Sequence, residues 1–580
     1  MGESNPPTLD NLTLSPPSPP HPQNMKPLRF LVIGAGSRGN AYAQAVTNVT
    51  SGVIHAIAEP HPFKRQEFGR NYIWGDNGTP QDGQEFKDWR DWLRWEVQRR
   101  EQGSPSATVE TNHAAVGIDG VFICTLDETH VEILQSIASL QLHILCEKPL
   151  ALSLSDCLTV YRAILPEENG GTSPHSSPPA IFSIGHVLRY SPHNILLRKL
   201  LLEDRVIGDI VSLEHCEPVG WWHFAHSYVR GNWRRATPEG DGSLLTKSCH
   251  DLDFILWLLC SPLPLPIDTK LSPEQQQELL KLQQPHLPRT ISSSGSLTQF
   301  RKSRKPHAAG SATNCLSCPA ERDCNYSALK IYRDMHVAKA HYDWPVNIVC
   351  PDIEDVVRTA NQTKAAEQHL LRHLEEDYTP DTEDRDIARR PWYGRCVYES
   401  DNNVCDDQVV TLTWDDEVVP ESSLDATTTS GYYYPRTSKT AIFHMIAPTE
   451  KQCERRGRVY GTQGEITYDS RNIVIYSFST RSTRSIEVPR PPPEEEKSHG
   501  GGDYGLARSF VRAVDAVVNL GWEVEWAQRC FVGCTLEEAV RSHAVVFAAE
   551  EARREEKVVQ WKDWWEGKLQ DSTGTRSACD

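Results

Sequence analysis

No stretch of this 580-residue sequence approaches the ~20 consecutive apolar residues that a helix needs to cross a bilayer. We therefore expect no membrane-spanning segment. Positive charge is also scarce: the formal net charge is −18, which disfavours nucleic acid or an anionic membrane as partner. The first 27 residues lack the apolar core of a secretion signal and hold eight prolines, so we expect residues 1–27 to be a disordered tail.

Cysteine is plentiful, with sixteen in the chain, but its placement does not indicate secretion. Cys124, Cys146 and Cys260 lie inside or at the end of apolar segments, where a free cysteine behaves as a small hydrophobic residue. Since no secretion signal accompanies these thiols, a reducing compartment is favoured over an oxidising one. We predict a cytoplasmic location.

From residue 28 to about residue 165, apolar strand-like runs alternate with helical patterns. Repeated β–α–β spacing of this kind predicts an α/β fold with a doubly wound parallel sheet. The strand-like runs are Phe30–Ile33, Val53–Ala58, Gly120–Thr125 and His143–Cys146.

Beyond residue 165 the pattern changes to strands with a period of two residues. That period predicts an α+β region built on a large, mainly antiparallel open sheet. We read Ser261–His307 as irregular except for the helix Pro273–Leu282, and Ala544–Arg554 as part of a C-terminal helix. The predicted strands are Ile181–Ile184, Asp209–Glu214, Gln408–Trp414, Ala441–Ile446, Gly457–Tyr460 and Glu465–Tyr468.

The stretch His499–Gly505 is rich in glycine. It is either a loop that closes over a substrate or a flexible connector before a helix that begins near Leu506. The sequence alone leaves both readings open.

A Gly-x-Gly-x-x-Gly turn follows the first strand. Gly34 permits the tight turn, Gly36 lets a pyrophosphate approach the backbone, and Gly39 lets helix and strand pack closely. Ser37 and Arg38 open the next helix, whose N-terminal NH groups would donate to the phosphates. The pattern predicts a dinucleotide-binding site.

Glu59 ends the second strand about twenty residues after the turn, where a carboxylate typically binds the adenosine ribose. It would repel a 2′-phosphate, which favours NAD over NADP. Lys64 and Arg65 stand close by in sequence and could pair with that phosphate, so NADP stays open as the alternative cofactor.

Four segments together resemble the Gfo/Idh/MocA family of oxidoreductases: Gly34–Gly39, Cys124–His130, Glu147–Pro149 and Cys249–Asp253. The resemblance implies an N-terminal Rossmann domain, a C-terminal domain with an open sheet, a nicotinamide cofactor, and substrates that are usually sugars, inositols or other polyols. It also implies a homo-oligomer formed through the open sheet. Within the matched segments, we expect Thr125, His130 and Glu147 to contact the cofactor.

Lys148 is the first catalytic candidate, since it takes the position of the lysine that lies near the nicotinamide and the reacting carbinol in the family it resembles. A cation or base fits there, because hydride leaves a carbon as its hydroxyl loses a proton. The alternative is a surface lysine in a tight turn.

His250 is the second catalytic candidate, because imidazole accepts protons near neutral pH. The family often carries Asp-x-Gly-x-His at this point, whereas this chain has Thr246 at the aspartate position, which argues against a His–Asp relay. Lys247 is either a second catalytic cation or a solvated neighbour. Asp251 either caps the following helix, the reading we favour, or orients His250.

An aromatic and polar segment over residues 221–235 suits a polyol, because aromatic faces stack on sugar rings while polar groups bond the hydroxyls. His223 and His226 could instead belong to a metal site, and an ordinary aromatic core is the remaining alternative. The stretch Gly185–Tyr190 also resembles the family strand that enters the pocket. The predicted substrate contacts are Arg189, Tyr190, His223, His226, Arg230 and Trp233.

Cys315, Cys318 and Cys324 form a separate cluster in sequence. Three thiolates at this spacing can share a structural zinc ion, with Cys350 or Cys396 as candidates for the fourth ligand. The alternative is that these are reduced, unligated cysteines in a loop.

These observations predict an NAD(P)-dependent dehydrogenase or reductase that acts on a hydroxyl-bearing carbon of a sugar, cyclitol or related polyol. Residues 28–165 would form the NAD-binding domain and residues 166–580 the domain for substrate binding and oligomerisation. Two alternatives belong to other classes: a glycosidase that uses NAD transiently, and a regulator that binds dinucleotide without catalysis.

Overall fold

The computed structural model describes residues 25–102, 116–165, 179–237, 242–265, 267, 271–281, 283–360, 363–417, 436–497 and 499–573. Most of the predicted disordered tail, residues 1–24, lies outside these ranges. Within them, no helix combines the length and the apolar character that a membrane crossing requires.

The first sheet has six parallel strands, as the β–α–β spacing predicts. They are β1 (Arg29–Ile33), β2 (Val53–Ala58), β3 (Glu85–Phe86), β4 (Gly120–Ile123), β5 (His143–Cys146) and β6 (Phe182–Ile184). Their order across the sheet is β3-β2-β1-β4-β5-β6, the doubly wound arrangement of a Rossmann domain. The predicted fold class is confirmed for this part of the chain.

Helices cover this sheet on both sides, so its central strands are mostly apolar. All four residues of β4 and of β5 are buried. The helices that belong to this part of the chain are α1 (Ser37–Val49), α2 (Pro62–Tyr72), α3 (Trp89–Gln102), α4 (His130–Ile137) and α5 (Leu154–Ile164).

The strand β6 corrects one sequence-based expectation. We had placed Ile181–Ile184 in the antiparallel sheet, but β6 pairs in parallel with β5. The physical reason is the crossover through α5, which returns the chain to the same sheet edge. The parallel sheet thus takes its last strand from beyond residue 165.

The second sheet has nine strands, and all but one of its neighbouring pairs are antiparallel, as predicted. Its order is β14-β13-β12-β11-β7-β10-β9-β8-β15, with β7 and β10 as the parallel pair. The strands are β7 (Ile210–Pro218), β8 (Thr290–Ser296), β9 (Asp407–Trp414), β10 (Lys439–Ile446), β11 (Arg456–Gly461), β12 (Gly464–Asp469), β13 (Ile473–Ser477), β14 (Ser482–Ile486) and β15 (Val559–Gln560).

One face of this sheet packs on the core, and the burial pattern follows. Buried and half-buried residues alternate along the whole of β9. The strand β8 lies in the region that we had read as irregular. Its sequence, Thr-Ile-Ser-Ser-Ser-Gly-Ser, has one large apolar residue, so the strand comes from its hydrogen bonds to β9 and not from a hydrophobic pattern.

The helix α16 (Gly502–Leu520), from the C-terminal part of the chain, packs against the first sheet. Phe510 lies with its ring 5.9 Å from that of Phe30 in β1 and 5.3 Å from that of Phe122 in β4. This helix begins at Gly502, earlier than the start near Leu506 that we expected.

The helices outside the first domain are α6 (Pro192–Arg198), α7 (Trp221–Phe224), α8 (Ser243–Thr246), α9 (Cys249–Leu259), α10 (Pro273–Lys281), α11 (Val346–Val349), α12 (Ile353–Ala360), α13 (Thr363–Glu375), α14 (Asp384–Ala388), α15 (Pro493–Glu496), α16 (Gly502–Leu520), α17 (Val524–Ala527), α18 (Leu536–Arg554) and α19 (Trp561–Thr573).

A long segment, residues 297–406, leaves the second sheet after β8 and returns at β9, where Ser296 pairs with Asp407. We call it the β8–β9 segment; it carries α11–α14 and several single helical turns. It also contacts the first domain, because Arg358 of α12 pairs with Glu67 of α2 and lies 5.2 Å from the ring of Phe63.

Candidate active site

The glycine turn lies at the carboxyl end of β1, in the middle of the parallel sheet. The NH group of Gly34 donates to the carbonyl oxygen of Ala58 at 2.9 Å, so the turn is tied to the end of β2. Gly34 has φ of +96°, and a Cβ atom there would lie 2.5 Å from the carbonyl oxygen of Cys124. Only glycine fits this close approach.

The next turn residues leave room for a phosphate group. A Cβ atom on Gly36 would meet no protein atom within 4 Å, so the space beside this backbone is open. Gly36 is also the N-cap of α1, and no side chain caps the helix. An uncapped helix N-terminus beside open space fits the pyrophosphate of a dinucleotide.

Glu59 stands at the end of β2, as predicted, and its carboxylate is already oriented by the backbone. It accepts from the NH groups of Ala35 and His61, each at 2.8 Å. Arg65, which kept NADP open, is occupied elsewhere: its Nε donates to Glu85 at 2.8 Å and its Nη1 to the carbonyl oxygen of Glu59 at 2.6 Å. Of the two basic residues that kept NADP open, Arg65 is therefore taken up by protein acceptors.

Arg38 is the centre of a buried network. Its Nε donates to Glu147 at 2.8 Å, and its two Nη atoms donate to the two carboxylate oxygens of Asp503, also at 2.8 Å. The hydroxyl of Tyr42 donates to the same oxygen of Glu147 at 2.6 Å. The network joins the glycine-turn helix, the turn after β5 and the first turn of α16.

The charges in this network depend on one another. Burial alone would raise the pKa of Glu147 and of Asp503, but Arg38 beside them lowers the pKa of both carboxyls below their ordinary values. Burial alone would lower the pKa of Arg38, but the two carboxylates, Asp503 foremost, raise it well above its ordinary value. All three groups are therefore ionised together at neutral pH.

His130 holds together the loops that follow β4 and β5. Its ring nitrogens face the carbonyl oxygens of Pro149, at 2.8 Å, and Thr125, at 3.3 Å. The hydroxyl of Thr125 accepts from Thr129 at 2.7 Å. Both predicted cofactor residues thus lie at the carboxyl edge of the sheet, where ligands of such sheets bind.

Lys148 reaches from the first domain to the second. Its ammonium donates to the backbone carbonyl of Thr246 at 2.8 Å. The side chain of Thr246 turns away and donates to the carbonyl oxygen of Gly242 at 3.1 Å. A main-chain oxygen, instead of an aspartate, therefore holds the lysine in this chain.

His250 stands close to that ammonium and is a neutral base. Burial, then Lys148, then His186 lower its pKa well below the ordinary value. Its ring lies 6.0 Å from that of His186 and 6.4 Å from that of His499, measured between centroids. Its buried Nδ1 has no hydrogen-bond partner among the described residues. A ligand could supply that partner.

Lys247 is not a solvated neighbour. Its ammonium donates to the sulfur of Cys453 at 3.0 Å and lies 3.4 Å from Glu217. Burial alone would raise the pKa of Cys453, but Lys247 and Arg455 lower it below its ordinary value. The sulfur also lies 3.6 Å from Nδ1 of His223. Lys247 thus belongs to a polar cluster beside the predicted substrate segment.

The prediction that Asp251 caps the helix α9 is wrong. Its carboxylate accepts from Nε2 of His215 and from Nε of Arg455, both at 2.9 Å, so it neither caps α9 nor orients His250. Asp251 is fully buried where α9 packs against the second sheet. Its carboxylate therefore bonds side chains from β7 and from the residue before β11.

Arg189 and Tyr190, predicted as substrate contacts, have their polar groups taken up by the protein. Arg189 makes two 2.8 Å bonds to Asp253 and one of 3.0 Å to Glu538. The hydroxyl of Tyr190 donates to the carbonyl oxygen of Val532 at 2.7 Å. Both residues are buried, and the geometry gives them a role in holding the second domain together.

Two of the aromatic-segment residues are also buried among protein partners. Nδ1 of His226 faces the hydroxyl of Tyr332 at 3.0 Å, and Nε of Arg230 donates to the carbonyl oxygen of Arg395 at 2.6 Å. These partners belong to the β8–β9 segment. His226 and Arg230 therefore dock that segment onto the domain.

Trp233 and His223 lie nearer to the first domain and to the open side. The indole NH of Trp233 donates to Asp127 at 2.8 Å, in the loop that follows β4. His223 is half-buried, and its ring lies 5.1 Å from that of Trp344. Of the predicted substrate residues, His223 and Trp233 are those that border the catalytic candidates.

The cysteine cluster is assembled around one backbone bridge between Asn314 and Arg395. Next to it, the sulfur of Cys315 accepts from Nη2 of Arg230 at 3.5 Å. Burial, with smaller contributions from Cys315 and Cys318, raises the pKa of Cys324. Among the described residues, however, no three of these sulfurs form a group within 4.8 Å of one another.

Several residues of the site escaped the sequence analysis, notably Asp503, Cys453 and Arg455. One signal was available: His215 and Glu217 occupy inward positions of β7, where an apolar residue is expected. Two buried polar residues on one strand face indicate polar partners on the packed elements. Arg455 and Asp251 are those partners.

A glycine turn of this geometry at the carboxyl edge of a doubly wound sheet defines a dinucleotide-binding protein. Residues 28–169 match the family model described as "Oxidoreductase family, NAD-binding Rossmann fold". This match is to the Gfo/Idh/MocA family and confirms the resemblance read from the sequence.

Curated relatives match over the same part of the chain. The 2,7-anhydro-N-acetylneuraminate hydratase of Escherichia coli is 29% identical over 142 residues, which is 24% of this chain and 34% of that protein. The inositol 2-dehydrogenase of Rhizobium meliloti is 24% identical over 183 residues, or 32% and 43% of the two lengths. The chain thus spans less than half the length of the relatives it matches.

Solved structures share the fold over a longer span. Levoglucosan dehydrogenase in complex with NADH and levoglucosan aligns over 92% of this chain and 99% of its own, with 14% identity and a TM-score of 0.50. Its apo form gives the same coverage and identity with a TM-score of 0.52. At this identity the likeness concerns the fold.

The Arg38 network predicts a pH-dependent loss of stability in Arg38→Met. The change leaves Glu147 and Asp503 buried without their cation, so we expect a loss of about 3–5 kcal/mol in unfolding free energy at pH 7. The wild-type contribution is present above the ordinary carboxyl pKa of about 4 and is lost as pH falls toward the lowered folded values. The deficit should shrink below about pH 4, as measured by denaturant titration.

The control is Arg484→Met, at an exposed position of β14. It should change the unfolding free energy by less than about 0.5 kcal/mol at any pH. A deficit in Arg38→Met that stays constant between pH 7 and pH 3 would contradict the linked ionisation of this network.

Proposed function

We propose that the protein is an NAD-dependent oxidoreductase that moves hydride between nicotinamide and a hydroxyl-bearing carbon of a sugar, cyclitol or related polyol. Two observations carry this proposal: Lys148 lies near enough to His250 to lower its pKa, and the buried Nδ1 of His250 lacks a partner among the described residues. Residues 28–165 would bind the dinucleotide, and residues 166–580 would bind the substrate.

The cofactor would lie along the glycine turn. The first NH groups of α1 would hold its pyrophosphate, and Glu59 would accept from its ribose hydroxyls. Bound nicotinamide would supply the site that accepts or returns the hydride. NAD is favoured over NADP because Arg65 is committed to Glu85 and to the backbone, while the carboxylate of Glu59 faces the ribose position.

The proton would be handled by this chain's own residues. The ammonium of Lys148, anchored on the carbonyl of Thr246, would donate to the substrate oxygen and stabilise negative charge as it develops. His250 would accept the hydroxyl proton, because burial and the nearby ammonium keep its imidazole neutral. In the reducing direction, the same two groups would return the proton to the alkoxide.

A carbohydrate-like substrate fits the surroundings of this pair. The ring of Trp344 lies 5.3 Å from that of Trp222 and 5.1 Å from that of His223, which provides aromatic faces beside polar groups. The names of the relatives agree in kind, since they refer to an inositol, an anhydro sugar acid and an anhydro sugar ketose.

A second candidate is a reaction without net oxidation. One relative is named as a hydratase of an anhydro sugar acid, which favours a hydration or cleavage in which the cofactor is reduced and reoxidised in each turnover. NADH would accumulate with a dehydrogenase substrate, whereas product would form without NADH in this second case. Absorbance and product analysis of one reaction mixture separate the two.

Three finer features complete the proposal. A structural zinc on Cys315, Cys318 and Cys324 would require their sulfurs to move closer together. Cys396 would be the fourth ligand, since the NH of Cys315 bonds the carbonyl of Gly394 and the NH of Cys396 bonds that of Thr313. A reducing, cytoplasmic location agrees with the lack of disulfides among the described cysteines.

A homo-oligomer would use the half-exposed face of the second sheet, where Ile442 of β10 is 38% exposed.

Lys148→Met tests the catalytic assignment. Loss of the ammonium removes a group that acts on the developing alkoxide, so we expect kcat to fall by roughly 100-fold or more. The dissociation constant of NAD should change by less than about threefold, because Lys148 bonds Thr246 and not the glycine turn. Steady-state kinetics with the best compound of a polyol and anhydro-sugar panel give the first value, and titration gives the second.

The matched control is Lys339→Met, an exposed lysine of the β8–β9 segment, which should retain full activity. Unchanged turnover in Lys148→Met would remove the lysine from the mechanism. It would then favour a protein that binds dinucleotide without catalysis.

Glu59 predicts the cofactor preference. We expect the wild type to bind NADH at least about tenfold more tightly than NADPH, because the carboxylate repels a 2′-phosphate by about 1.4 kcal/mol or more. Glu59→Gln keeps the size of the side chain and removes its charge. The ratio of the NADPH dissociation constant to the NADH dissociation constant should therefore fall toward one. Fluorescence titration of both cofactors measures it; equal wild-type affinities would show the preference to be misassigned.

A further inference from the structure

The β8–β9 segment brings three metal-binding side chains together, apart from the proposed active site. The ligand atoms of Cys350, His369 and His373 all lie within 4.8 Å of one another. In a tetrahedral zinc site, bonds of about 2.0–2.3 Å place neighbouring ligand atoms about 3.4–3.8 Å apart. Small side-chain adjustments would therefore bring all three to coordination distance.

The local fold explains why these residues meet. His369 and His373 stand one turn apart on α13, so their side chains share a helix face, and their ring centroids are 4.8 Å apart. The other face of α13 is fixed in the core through Ala366, Leu370 and Leu374. The helix can therefore present its two imidazoles in only one direction.

Cys350 comes from the other side, at the end of α11. It is fully buried, whereas His369 and His373 are partly exposed, so an ion could enter from the histidine side. A buried thiol that faces two imidazoles provides the soft and borderline donors that zinc prefers.

A carboxylate supports the first histidine. Asp352 accepts from Nε2 of His369 at 2.8 Å and stands outside the group of three. Metal-binding histidines commonly donate their second ring NH to a carboxylate, which fixes the tautomer and the ring orientation. This bond leaves Nδ1 of His369 as the nitrogen that faces the ion.

We propose that Cys350, His369 and His373 bind a zinc ion, with Asp352 as the supporting carboxylate and water as the fourth ligand. Nothing in the proposed oxidoreductase chemistry requires this ion. Its role is that of a clamp, because it connects the end of α11 to α13 across the intervening α12.

The clamp would act on both sides of the active site. Trp344 lies six residues before Cys350 in sequence and packs against His223 with ring centroids 5.1 Å apart. On the other side, Arg358 of α12 pairs with Glu67 of the cofactor domain. An ion that fixes α12 between these points stabilises the contact of the β8–β9 segment with both domains.

Metal analysis of the full chain tests this proposal. After loading with zinc and desalting, we expect the wild type to hold about one more zinc ion per chain than His373→Gln or Cys350→Ser. His341→Gln makes the same substitution at an exposed site of the same segment and should keep the wild-type content. Equal zinc in the wild type and in both ligand variants would overturn the proposal.

Cobalt substitution gives a second readout, which reports on the thiolate ligand itself. With Co²⁺ in place of zinc, wild-type protein should show a thiolate-to-cobalt charge-transfer band. Cys350→Ser should lose the part due to this site, and Cys318→Ser, in the other cysteine cluster, should keep it. A cobalt spectrum unchanged by Cys350→Ser would also overturn the proposal, whatever the protein's activity.

Discussion

The buried ion pairs of Arg38 hold the site together, and the rest of the structure is arranged around them. Arg38 stands in the first turn of the helix that follows the glycine turn, and it binds Glu147 after β5 and Asp503 at the start of α16. The side chain of Arg38 is 26% exposed, but the carboxylates of Glu147 and Asp503 are buried. A buried carboxylate costs free energy unless it is paired, so both depend on Arg38. Because Glu147 precedes Lys148, the same network fixes the backbone from which the proposed catalytic lysine extends.

Much of the fold could be predicted from local patterns. The buried runs of β1, β4 and β5 and the alternation in β9 and β10 each carry a period that the sequence displays. The misses had one physical cause: β8 is serine-rich and β6 is three residues long, so their neighbours determine their conformation and not their own side chains. Such strands can be predicted only once the sheet that they join is known.

The candidate site also contains residues that a local pattern predicts and residues that it does not. Gly34 and Lys148, which belong to short motifs, follow strands β1 and β5 at the carboxyl edge of the parallel sheet, and His250 lies in the first turn of α9 nearby; their roles remain predictions. Arg230 was predicted from residue type, and Arg189 from the resemblance of Gly185–Tyr190 to a family strand. The donors of both turn out to be taken up by buried protein acceptors. Asp503 could not have been found, because it meets Arg38 across 465 residues of sequence. Residues that pair over such a distance in sequence form no motif from which the contact could be predicted.

The central claim is that the glycine turn binds NAD, and Gly36→Val tests it most directly. A Cβ atom at Gly36 meets no protein atom within 4 Å, so the variant should unfold at the wild-type temperature without cofactor, while its side chain fills the space proposed for the pyrophosphate. Gly567→Val, which also points into open space on α19, is the matched control. The account predicts that NADH raises the unfolding temperature of the wild type and of Gly567→Val but not of Gly36→Val. An equal rise in all three would contradict it.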